Sequence, residues 1–166
     1  MRHDQKIKFS NLVSDFSLEQ LSNIMKNARA LDELGQYEEA ISWYDLAIAK
    51  NPIDPSPWYD KGNVFDSIGK YDEAISCYDK VLEMIPNDTS AMYNKATVLS
   101  RIGKYEEANS CYDKIISIDP IHTGALYNKR VTLNKLGMHY GVIPMKQKQI
   151  LKNFWNKIKT TLKKSR

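Results

Sequence analysis

A twenty-residue phrase is written three times in this chain, as GQYEEAISWYDLAIAKNPID at 35–54, GKYDEAISCYDKVLEMIPND at 69–88 and GKYEEANSCYDKIISIDPIH at 103–122. Gly35, Gly69, Gly103 and Gly137 stand 34 residues apart. So do Tyr37, Tyr71 and Tyr105; Ala40, Ala74 and Ala108; Tyr44, Tyr78 and Tyr112; and Pro52, Pro86 and Pro120. Repetition at this period marks an array in which each unit is one supersecondary element that cannot bury its apolar face alone. The copies are therefore expected to be one another's packing partners.

Within a unit the apolar residues recur three and four apart, as in Trp58, Phe65 and Ile68, then Ala74, Ile75, Tyr78, Val81 and Leu82. That spacing predicts two helices. The glycine falls between them, where the chain leaves one helix and needs positive φ. Acids follow three and four residues later, in the first turn of the next helix, where exposed amides favour negative charge. Proline then ends the second helix, and cap-forming residues such as Asp54, Asp88 and Thr123 lead into the next unit. Small residues, Ala28, Gly62 and Ala96 in the first helices and Ala40, Ala74 and Ala108 in the second, are placed where the two helices cross closely. Tyr44, Tyr78 and Tyr112 are left to fill the gap toward the neighbouring hairpin.

These residues resemble the tetratricopeptide repeat family, whose signature is carried by Ile24-Ala28-Leu31-Ala40-Tyr44-Ala47-Pro52, by Trp58-Gly62-Phe65-Ala74-Tyr78-Val81-Pro86 and by Met92-Ala96-Leu99-Ala108-Tyr112-Ile115-Pro120. The resemblance implies an all-α fold, a right-handed α-α superhelix of stacked antiparallel helix hairpins. It places repeats at 21–54, 55–88 and 89–122 and a partial fourth at 123–144, within a domain spanning 18–144.

The ends depart from the pattern. Ser17-Leu18-Glu19-Gln20 has capping-box spacing, so the first helix is expected to begin at Leu18. Residues 1–17 carry Ile7, Phe9, Leu12, Val13 and Phe16, which can lie over the first hairpin. In the fourth unit Arg130 replaces the usual small residue, and Gly141 and Pro144 interrupt the second helix. From 145 the chain reads as an amphipathic basic helix reaching about 163, with Leu151, Phe154, Trp155, Ile158 and Leu162 on one stripe.

Charge separates these regions. Residues 1–144 hold 16 Lys and Arg against 20 Asp and Glu, whereas 145–166 hold eight Lys and Arg and no acid. The positive charge of the whole chain therefore gives no warrant for a nucleic-acid partner of the body. The basic segment has four readings: a cap on the open end of the stack, attachment to an anionic membrane face or an acidic partner through Lys148, Lys152, Lys159 and Lys163, docking on a second copy of the chain, or RNA contact, against which stands the lack of an aromatic platform interleaved with basic residues. The opening residues lack the apolar core of a signal peptide and no run of 18 apolar residues occurs, so the expected address is cytoplasmic.

In the resembled family the first helices line a concave groove that takes a peptide, so the partner is expected to be a protein or peptide. The corresponding positions here are Met25, Arg29 and Asp32; Tyr59, Asn63 and Asp66; Tyr93, Asn94, Thr97 and Ser100; and Tyr127, Asn128, Val131 and Asn134. The row Tyr59, Tyr93 and Tyr127 is either an aromatic ladder for a peptide or internal packing between adjacent helices. The asparagine amides are candidates for hydrogen bonds to a peptide backbone. Relatives that clamp a chaperone's C-terminal carboxylate use cations at positions that here hold Tyr59, Gly124 and Asn128, so that ligand is not expected although Asn63 and Asn94 match the clamp's asparagines.

No paired acids, nucleophile with base, phosphate loop or metal spacing is present. His3, His122 and His139 are read as surface or turn residues, and Cys77 and Cys111 as packing residues too far apart for a disulfide. The expectation is a non-catalytic protein-interaction module without cofactor or metal. The alternative is an anionic-surface adaptor that acts through its C-terminal helix.

Overall fold

The computed structural model describes residues 18–137. They form α1 (Leu18–Glu33), α2 (Tyr37–Lys50), α3 (Pro55–Ser67), α4 (Tyr71–Met84), α5 (Thr89–Arg101), α6 (Tyr105–Ile118) and α7 (Thr123–Lys135). Residues 1–17 and everything after Gly137, including the expected 145–163 helix, lie outside the described residues.

Each hairpin turn is closed by the backbone. Gly35, Gly69, Gly103 and Gly137 have φ of 75°, 77°, 83° and 71°, a conformation that side-chain-bearing residues rarely adopt. In the first turn Gln36 N donates to Leu31 O at 2.8 Å and Gly35 N to Asp32 O at 2.9 Å; Lys70 to Phe65 and Lys104 to Leu99 repeat the longer bond. This is the αL helix ending that satisfies otherwise orphaned carbonyls. The residues that open α2, α4 and α6 form no side-chain cap, and Glu38, Glu39, Asp72, Glu73, Glu106 and Glu107 occupy their first turns instead.

The first helices of units two to four are capped by side chains. Asp54 accepts from Ser56 N at 2.9 Å, Asp88 from Ala91 N at 2.8 Å, and His122 Nδ1 from Ala125 N at 3.1 Å. His122 is thus a capping residue rather than an unengaged turn residue, and its ring lies 5.3 Å from that of Tyr93.

The core follows the repeat. Ala28 clusters with Ala40, and Ala96 with Ala108; these four alanines and Ala74 are fully buried. A β-carbon on Gly62 would stand 2.8 Å from Cε1 of Tyr78 and 3.2 Å from Cβ of Cys77, so the crossing of α3 and α4 has no room for one. Tyr44, Tyr78 and Tyr112 have no exposed surface. Tyr44 packs with Val64 of the next hairpin, and Tyr78 with Val98, so burial of these rings joins one unit to the next. Val64 and Val98, the receivers of that contact, and Thr132, again 34 apart, are all fully buried.

The contacts between helices set the curvature. α1 touches α3, α3 touches α5, and α5 touches α7, whereas α2, α4 and α6 have no contact with one another. The first helices therefore form the inner, crowded side of the arc, and the second helices the outer side. Ion pairs stitch each outer helix to the next inner one: Lys61 Nζ reaches Asp45 at 2.5 Å, Lys95 reaches Asp79 at 2.5 Å, and Lys129 pairs with Asp113.

Candidate binding groove

The inner side presents one face of α1, α3, α5 and α7, and the fourteen candidate groove residues lie on these four helices, each at least partly exposed. The structure binds many of them to each other. Asn94 uses both amide hydrogens, donating to Tyr59 Oη at 3.0 Å and to Asn63 Oδ1 at 2.9 Å. Tyr78 Oη donates to the same Asn63 oxygen at 2.8 Å. One repeat later Asn128 Nδ2 donates to Tyr93 Oη at 3.0 Å. The amide hydrogens of Asn94 are consequently not available to a peptide backbone, because they already tie α5 to α3. The Asn94 oxygen remains as an acceptor.

The tyrosine row is uneven. Tyr59 meets the Tyr78 ring edge-on at 6.0 Å, and Tyr93 lies 6.1 Å from Tyr112, so both combine internal packing with a partly exposed edge. The Tyr93 ring end also covers Gly124, where an added β-carbon would stand 3.0 Å from Cε2 and Oη of Tyr93. Burial raises the Tyr59 phenol above its ordinary value, and the Asn94 hydrogen bond opposes that shift. Tyr127, at the far end, is 59% exposed, with the Arg130 guanidinium 5.4 Å from its ring centre.

Charge is concentrated at the other end. Arg29 Nε pairs with Asp60 at 2.8 Å, and Arg101 pairs with Asp66, each bond crossing from one inner helix to the next. The Asp32 carboxyl is raised above its ordinary value by its own burial, by Asp60 and by Glu33. Asp60 also lines a cavity of about 440 Å³ together with Arg29, Tyr59, Val81, Ile85 and Asp88. Toward the fourth unit the groove becomes neutral, with Thr97, Ser100, Asn128, Val131 and Asn134.

Sequence reasoning places the candidate residues on the four inner helices and misses how they pair. Asp60, which accepts from Arg29, was absent from the candidate set, as were the Lys61, Lys95 and Lys129 pairs with Asp45, Asp79 and Asp113. The signal for the latter was present, since all six recur at the 34-residue period. Lys148, Lys152, Lys159 and Lys163 lie outside the described residues. Among the described residues no helix is long and apolar enough to cross a membrane, and no group of three His, Cys, Asp or Glu is placed to hold a metal ion. Cys77 is buried, Cys111 is partly buried, and both are free thiols.

Comparison with known proteins agrees with this architecture. Family profiles described as tetratricopeptide repeat match residues 55–88 and 77–108, and one described as TPR repeat matches 28–69. No curated protein sequence matches significantly. Among solved structures, MamA 41-end from Desulfovibrio magneticus RS-1 is 25% identical, with a TM-score of 0.65 over 69% of this chain and 64% of that one. The first TPR of Spaghetti (RPAP3), bound to the HSP90 peptide SRMEEVD, is 18% identical, with a TM-score of 0.68 over 73% of this chain and 96% of that one. The Yersinia enterocolitica type III secretion chaperone SycD, in complex with a peptide of the translocator YopD, is 19% identical, with a TM-score of 0.68 over 74% of this chain and 98% of that one. With matching profiles, a 34-residue period and stacked antiparallel hairpins in agreement, this chain belongs to the tetratricopeptide repeat family.

Proposed function

We propose that this chain is a non-catalytic protein-interaction module that holds a peptide or protein segment along the inner face of α1, α3, α5 and α7. The observation that carries this reading is the row of partly exposed Tyr59, Tyr93 and Tyr127, one per hairpin, on the side of the arc where the inner helices meet. A tyrosine edge with one polar end buries apolar side chains of a partner at small entropic cost, and such residues often dominate an interface. The peptides held by the first TPR of Spaghetti and by SycD lend support by likeness of fold alone.

The test is selection of peptides from a random displayed library on the full-length chain, followed by titration of a selected peptide against variants. Tyr127→Ala removes an exposed ring and is expected to leave helicity intact while weakening the peptide about tenfold, the effect of losing roughly 1.4 kcal/mol. Tyr93→Ala extends the test to the middle of the row. Unchanged affinity in both variants refutes the groove assignment.

A further inference from the structure

The three seams between inner helices share one plan, which only the second completes: Tyr112 at the third seam, like Tyr44 at the first, is buried with a hydroxyl that has no hydrogen-bond partner among the described residues. At the second seam Tyr78 donates to Asn63, Asn63 accepts from Asn94, and Asn94 donates to Tyr59. At the first seam the same four places hold Tyr44, Arg29, Asp60 and Met25. Arg29 has no acceptor atom to offer a hydroxyl, and Met25 has no hydroxyl to offer Asp60. Tyr44 is fully buried, and its hydroxyl has no hydrogen-bond partner among the described residues. The charges of Asp60, Asp32, Arg29 and Glu33 act on it from inside the first hairpin and its neighbour.

The carboxylates at this end exceed their cations. Arg29 serves Asp60 through Nε, and no Lys or Arg among the described residues forms an ion pair with Asp32. Asp32 is partly buried, one helical turn from Arg29 on α1, with Asp60 and Glu33 as the charges it feels. Beside Asp60 the cavity of about 440 Å³ has an apolar wall of Tyr59, Val81 and Ile85 and a second acid, Asp88, whose carboxylate caps α5. A Lys or Arg side chain matches such a surface, since its methylenes cover apolar groups while its charged end seeks carboxylates.

We infer that the first-unit end of the groove receives a basic side chain of the partner segment, with Asp32 and Asp60 as its counter-charges. The inference rests on the peptide-binding reading above and adds its charge preference: the module selects segments with Lys or Arg and disfavours acidic ones.

The experiment is the same displayed random-peptide selection, run on the full-length chain and on Asp32→Asn. Asp32 forms no ion pair among the described residues, so this variant keeps the fold; the Asp32→Asn/Asp60→Asn pair is added where circular dichroism shows it folded. Peptides selected on the unaltered chain are expected to share a Lys or Arg at one position. Changing that residue to Gln in a synthetic copy is expected to weaken binding about tenfold at low salt, and the ratio is expected to fall toward one on Asp32→Asn. Selected peptides without a basic position, acid-rich peptides, or a tenfold ratio that persists on Asp32→Asn overturn the inference while leaving the groove in place. Failure to select any peptide that Tyr127→Ala and Tyr93→Ala weaken overturns the groove reading and this inference together.

Discussion

The Tyr78 hydroxyl and the Asn63 side chain are 2.8 Å apart, and Asn94 of the next hairpin donates to the same Asn63 oxygen at 2.9 Å. Tyr44 is equally buried one repeat earlier, yet its hydroxyl has no such acceptor among the described residues. Removing the two hydroxyls is therefore expected to have unequal effects. Tyr78→Phe loses a made hydrogen bond and costs about 1 kcal/mol, whereas Tyr44→Phe removes an unserved polar group and is neutral or stabilising. Urea denaturation of the two variants reads the difference. An equal loss in both contradicts the assignment of partners.

Gly62→Ala tests the closeness of α3 and α4. Alanine favours a helix over glycine by about 1 kcal/mol. Here, however, the added carbon would meet Tyr78 Cε1 at 2.8 Å and Cys77 Cβ at 3.2 Å, and overpacking a tight site costs about 1–3 kcal/mol. A net loss on the order of 1 kcal/mol is expected in thermal melts. Gly124→Ala meets only the end of the partly exposed Tyr93 ring and is expected to lose less.

The pH dependence of stability carries a signature of Asp32. Its carboxyl is raised above 3.8 by burial first, then by Asp60 and Glu33. A group that holds its proton more tightly when folded opposes folding once ionised, and that penalty vanishes as the pH falls below the unfolded value. Asp32→Asn is expected to raise the melting temperature at pH 7. The gain should shrink with acidification and disappear below pH 3.8. Melts across that range check it, and a gain independent of pH contradicts it.

Thiol reactivity separates the two cysteines. Burial pushes the Cys77 thiol up to about 11, so that at pH 8 only about one molecule in a thousand carries its thiolate. Cys111 is raised for the same reason but is less enclosed. Iodoacetamide at pH 8 is expected to label Cys111 first in the folded chain and both at similar rates in guanidinium, as read by peptide mass mapping.

Much of this architecture is legible in the sequence because it depends on local rules. A positive-φ turn demands glycine, a close crossing demands Ala or Gly, and a filled seam demands a large ring, so Gly69, Ala74 and Tyr78 declare their roles at a fixed period. The inner face was equally legible, since helix periodicity places Tyr59, Asn63 and Asp66 on one side of α3. Pairing was not. Which of several groups an Asn94 amide or an Arg29 guanidinium chooses depends on the offset between neighbouring hairpins, a distance that no single unit contains. The asparagines thus read as free donors, although Asn94 spends its hydrogens on Tyr59 and Asn63. Val64 and Val98 escaped notice for a similar reason, being buried by the preceding hairpin rather than by their own.

The inner helices meet in sequence while α2, α4 and α6 stand clear of one another. A strip fastened along one edge and slit along the other flexes about the fastened edge, much as a fan opens on its rivets. Tension or compression along the array is thereby taken up as a change of radius, leaving each hairpin's interior undisturbed.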